Sequence, residues 1–170
     1  MQTESAKMSS AVEAKFRIGS PNSLQRAIKI IGLDLNSEKV LARIGAEKWE
    51  GATFLTATSL SSSPARRGDF SLQGWLSDLA GRGRDLVNEV QTADSVIVVS
   101  TAGESAEAAE LIGEACSLKH VLSTALILGG RTCSNEALSK SLSQLRPHVA
   151  MLVVSGEDEY IRDMLAALRA

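Results

Sequence analysis

The chain has 170 residues, 44% of them hydrophobic and 22% charged, which fits one globular domain with a proper core. Eighteen basic against twenty acidic residues leave a net charge of -2, so no basic field draws in nucleic acid or a membrane surface. Two cysteines, Cys116 and Cys133, make no disulfide framework, and no apolar run approaches the ~18 residues of a membrane span. The first residues contain no apolar signal-peptide core, and a cytoplasmic protein is expected.

Residues 1–25 are polar, carry Pro21, and read as a flexible arm in which Phe16, Ile18 and Leu24 can dock locally. Residues 26–170 read as a single α/β domain. AIKIIGL (27–33) is an apolar run with one lysine, the pattern of a strand covered on both faces. Leu35, Val40, Leu41 and Ile44 then recur at helical spacing, with Asn36 or Ser37 placed to cap. ATFLTATSL (52–60) is a second strand and SSSPARRGD (61–69) a loop.

Leu72, Trp75, Leu76 and Leu79 share a helical face, and Leu86, Val87 and Val90 resume it after GRGR (81–84). Two glycines so close cost a helix about 1 kcal/mol each, which predicts two helices or a kink. SVIVVS (95–100) is the third strand, and Glu104 to Val121 is predicted as helix. STALILGG (123–130) is the fourth strand, followed by a helix over 134–145 with Ser134 as N-cap. VAMLVVSG (149–156) is the fifth strand, and a closing helix buries Ile161, Met164, Leu165 and Leu168. Alternating strands and helices predict a three-layer, doubly wound sheet of about five parallel strands with helices on both faces.

In such sheets, ligands bind beyond the carboxyl ends of the strands, where strand order reverses. The first loop, GLDLNS, places Leu33 and Leu35 where a dinucleotide site needs bare backbone, and no GxxxxGK[ST] occurs. Asp34 can meet a ribose or a cation there, the plainer reading being a solvated aspartate ahead of a helix. Thr101, Gly103 and Ser105 offer hydroxyls and N–H groups at a helix start, as anion sites do. Glu104 and Glu107 lie beside them and repel a phosphate, which favours a plain capped helix. Gly129 and Gly130 let a ligand approach, and Arg131 is able to hold a carboxylate or phosphate in bidentate fashion. An ordinary tight turn with an exposed arginine accounts for the same residues. Cys133 precedes a helix N-terminus, where a thiol pKa can fall, whereas Cys116 reads as core. His120 and His148 have no ligand-like spacing, and neither a metal site nor a serine-nucleophile motif is evident.

The segment TADSVIVVSTAG (92–103), continued by AAELIGEACSLKHVLSTALILGG, resembles the GTP-binding domain of FtsZ and tubulin over residues 27–170. That resemblance implies a Rossmann-like fold, with Thr101, Ala102 and Gly103 matching the family's Thr-Ala-Gly. Its GGGTGTG phosphate loop is replaced here by Gly103-Glu104-Ser105-Ala106-Glu107. The first-loop glycines become Leu33, Asp34 and Leu35, and the family's further domains have no room. A truncated, degenerate relative without GTPase activity is what the resemblance implies. The expectation is a non-catalytic domain acting through a protein partner or self-association, with no cofactor. The alternatives are a nucleotide or small-molecule binder using Asp34, Thr101, Gly103, Ser105, Gly129, Gly130 and Arg131, or an enzyme around Cys133, Asp34 and Arg131.

Overall fold

The β-branched and leucine-rich runs form one sheet in the computed structural model, described here for residues 25–57, 75–156, 158–168 and 170. The strands are β1 (Ile28–Gly32), β2 (Ala52–Thr56), β3 (Trp75–Asp78), β4 (Gly83–Asp85), β5 (Ser95–Thr101), β6 (Leu122–Leu128) and β7 (Met151–Val154). The helices are α1 (Leu35–Gly45), α2 (Leu86–Gln91), α3 (Ala108–Lys119), α4 (Asn135–Leu145) and α5 (Glu159–Leu168). A 3-10 turn, Arg146–His148, joins α4 to the last strand.

The strand order is β4-β3-β2-β1-β5-β6-β7. β2, β1, β5, β6 and β7 run parallel, as the alternating pattern predicts. Strand order reverses between β1 and β5, which makes their carboxyl ends the switch point. The sheet has seven strands rather than about five, because β3 and β4 add an antiparallel hairpin beyond β2.

Over residues 75–79 that hairpin stands where a helix was expected. Leu76 is fully buried while Leu79, which a helical stripe would place beside it, is exposed. The turn is set by Asp78, whose carboxylate accepts from the N–H groups of Ala80 and Arg82, both at 2.9 Å. Gly81 supplies a φ of 79° with open space around it. The Arg82 backbone N–H and guanidinium hold the Asp78 carboxyl below the usual range, against the opposing pull of desolvation. Turn chemistry outweighs helical spacing here. Leu72 and the expected loop at 61–69 lie outside the described residues.

Alternation along the strands divides the core. Ile28, Ile30, Phe54, Ile97, Val99, Leu126 and Leu128 face α1 and α5, meeting Leu41, Ile44, Ile161 and Leu165. Ile31, Leu55, Val96, Val98, Ala125 and Ile127 face α2, α3 and α4. Each such aliphatic side chain contributes about 1.5–3 kcal/mol on full burial, so the two faces carry most of the stability. Lys29, the one charge in β1, points to the second face and pairs with Glu89 of α2 at 2.8 Å. Small residues let α3 approach closely: a Cβ on Gly113 would overlap the His148 carbonyl. His120 takes the left-handed position after α3, with φ 57°. Both histidines therefore have positions explained by packing and capping. No helix among the described residues is long and apolar enough to cross a membrane.

Candidate functional site at the carboxyl ends of the strands

The switch point is bridged by a single side chain. Asp34 is the N-cap of α1, in place of the expected Asn36 or Ser37. Its Oδ1 accepts from the N–H groups of Asn36 at 3.0 Å and Ser37 at 2.9 Å. Ser37 completes a capping box, its hydroxyl accepting from the Asp34 N–H at 3.1 Å. The same carboxylate reaches across to β5. Thr101 donates its N–H to Oδ2 at 2.7 Å and its hydroxyl to Oδ1 at 2.9 Å. Asp34 is 8% exposed, so it is not the solvated aspartate of the plainer reading, and its carboxylate is engaged by Asn36, Ser37 and Thr101. Leu33 is buried below it, whereas Leu35 points outward at 67% exposure and fills no crevice.

The loop after β5 turns its donors inward as well. Gly103, at φ 87°, donates its N–H to Ser141 Oγ of α4 at 2.8 Å. Its carbonyl accepts from Lys140 Nζ at 2.9 Å. The Ala106 N–H donates to Gln144 Oε1 at 3.1 Å. Ala102 and Glu104 donate to the carbonyls of Leu128 and Thr101. The N–H groups of Ala102, Gly103, Glu104 and Ala106 thus end on this protein's own side chains and carbonyls.

The helix expected from Glu104 begins only at Ala108, and Glu107 caps it without a side-chain hydrogen bond. Ser141 and Gln144 draw the backbone at 103–106 toward α4, which keeps those residues out of the helix. Glu104, Ser105 and Glu107 are all exposed on this loop. The sequence does contain one signal for these partners. Ser141 is fully buried and lies at helical spacing from Leu138 and Leu145, a hydroxyl in an otherwise apolar stripe.

After β6 the chain closes on itself again. Gly129 has φ 73°, and its carbonyl accepts from the N–H groups of Thr132 and Cys133 and from the Thr132 hydroxyl. Gly130 donates to the Ser155 carbonyl at 3.0 Å and lies so close to Val154 that a Cβ would overlap it. Close approach is indeed what this glycine provides, and the approaching group is Val154. Arg131 is exposed, with its aliphatic stem over Gly156. Ser134 caps α4 as expected, accepting from the Ala137 N–H at 3.2 Å. Cys133 is half-buried, its Sγ 3.6 Å from the Gly130 carbonyl. Cys116 is core, and burial pushes its thiol up to about 11, so it stays protonated at neutral pH.

The structure therefore brings Asp34 and Thr101 into contact and seats Gly103 against α4. Ser105 lies on the exposed loop, and Gly129, Gly130 and Arg131 form a turn against the end of β7. Among the described residues, no group of three or more histidine, cysteine or acidic side chains is placed to hold a metal ion. A cleft of about 540 Å3 opens at the opposite end of the sheet, between α5 and the amino-terminal halves of β5, β6 and β7. The chain matches no model of a known protein family, and no curated protein is significantly similar to it in sequence.

Proposed function

We propose that this protein is a non-catalytic α/β module that acts by pairing with a second copy of itself through the outer edge of β7. Support comes first from chemistry already committed at the switch point, where Asp34 and the loop after β5 are held by internal hydrogen bonds. The observation that carries the reading is the contrast between the two outer strands. β4 reads Gly-Arg-Asp, three exposed residues whose charges discourage pairing. β7 reads Met-Leu-Val-Val, without charge or proline, and leaves Met151 and Val154 at 51% and 43% exposure.

A strand edge of this kind is self-complementary about a two-fold axis, where two β7 strands pair antiparallel and join the sheets. The resemblance to the FtsZ and tubulin domain agrees with this reading as a scaffold retained without its phosphate loop. Sedimentation over a range of concentrations tests it. Wild-type protein is expected to associate, and Val154→Lys to weaken association at least tenfold without lowering the melting temperature. A monomer at every concentration would overturn the proposal. A melting-temperature screen with GTP, ATP, NAD and flavin is expected to show no shift. A ligand at 100 times its Kd would add about 2.7 kcal/mol of stability. Such a gain, abolished by Arg131→Ala, would move the function to the crevice.

A further inference from the structure

β2 reads Ala-Thr-Phe-Leu-Thr, without charge or proline, and it ends the parallel part of the sheet on the side away from β7. Left bare, such a strand is a template for another chain. The β3–β4 hairpin lies along it instead, on a short ladder. Among the described residues, β3 meets β2 where Leu55 faces Asp78 and Thr56 faces Ser77, whereas β1 pairs with all five residues of β2. Leu76 adds a buried contact in the core shared with Leu55 and Leu86, and Leu79 lies over Gly45 of α1. The other fastenings are ionic. Arg84 of β4 bridges Asp78 at 3.6 Å and Glu89 of α2 at 3.8 Å. Asp78 also pairs with Arg82 at 2.7 Å, and Glu89 with Lys29 of β1 at 2.8 Å. Charges of alternating sign thus run from Lys29 through Glu89, Arg84 and Asp78 to Arg82. The Arg84 and Arg82 side chains are 43% and 73% exposed, and pairs so open to water are individually weak.

We infer that this hairpin is a guard, which denies the β2 edge to other copies of the chain and confines self-association to β7. The inference rests on the β7 reading only for the size of the assembly. With β2 covered, two β7 edges paired about a two-fold axis close the assembly at two copies. With β2 bare, each copy has two self-complementary edges, and the assembly has no closing size. Arg84 is the tie, because it alone of the hairpin's charges reaches both Asp78 and α2. Reversing its charge beside Asp78 and Glu89 opens the guard, while Lys29 still holds Glu89 and keeps α2 on the sheet.

Hydrogen exchange and sedimentation of full-length Arg84→Glu test this together. The amides of β3 are expected to exchange at least about tenfold faster than in the wild type, while those of β5 keep their protection. The variant should then assemble beyond two copies as its concentration rises. Combined with Val154→Lys, it should stop at a discrete dimer, at least about tenfold tighter than any formed by Val154→Lys alone. Arg84→Lys keeps the charge and should behave as the wild type. If Arg84→Glu loosens β5 as well, Arg84→Gln is judged by the same measurements. β3 amides that stay protected would overturn the inference. So would freed β3 amides with no added association in the double variant, or association into aggregates of no fixed size there. A wild type that is monomeric at every concentration counts against the β7 edge alone, and the double variant still decides the β2 edge.

Discussion

The two ends of the sheet satisfy their exposed chemistry in opposite ways. At the carboxyl ends, where α/β sheets usually receive ligands, the polar groups of the loops bond to one another. Asp34 links the loop after β1 to Thr101, and α4 supplies Ser141, Lys140 and Gln144 to the loop after β5. At the amino ends large side chains are left exposed, and Leu122, Met151 and Tyr160 meet solvent around a cleft. A ligand crevice therefore requires more than a switch point. It requires loop donors left without internal partners, since a buried hydrogen bond already made must be broken before a ligand can use it. Where donors are internally paired, the surface with unmet attraction is the apolar one, which suits protein contacts.

Substitutions can break this contrast, beginning with the largest effect. Asp34→Ala removes the α1 cap and the charged bonds to Thr101, and should cost about 3 kcal/mol in urea unfolding. A loss below about 1 kcal/mol would mean that the carboxylate does not hold the two loops together. Ser141→Ala leaves the Gly103 N–H without its partner, with an expected loss of about 2 kcal/mol. The same variant should be the one in which added phosphate or sulfate raises the melting temperature, because it frees a donor in the loop.

Gly103→Ala meets both a positive φ and Ala137, whose Cβ would be 3.0 Å away, and should lose about 1–2 kcal/mol. Gly81→Ala, at φ 79° in open space, is its control. The difference between the two in thermal melts isolates the packing of the loop on α4, and equal losses would show that it is negligible. At the other end, Met151→Glu should change stability by less than about 0.5 kcal/mol. A large loss there would show that the apolar surface belongs to the core instead.

Much of this architecture is readable from residues alone. The runs in β1, β5 and β6 are apolar on both faces, and only a strand buried between helix layers tolerates that pattern. Ser134 announced the start of α4 through its chemistry. The Leu72–Leu79 stretch was misleading because spacing of three and four also arises by chance around a hairpin. The Asp78 side chain, bonded to Ala80 and Arg82, was the decisive feature there. Asp34 was legible as a residue at the switch point but not in its role, since Thr101 lies 67 positions away.

By itself, then, the sequence determined the alternating elements and the parallel core, both of which follow from local pattern and composition. Only the tertiary structure decided where the polar groups of "STAGESAE" (100–107) would find partners and which end of the sheet would remain open. Hydrogen bonds between Asp34 and Thr101, and between Gly103 and Ser141, join residues distant in the chain. Such bonds leave no periodicity to read. They exist only once the sheet has brought its strand ends together.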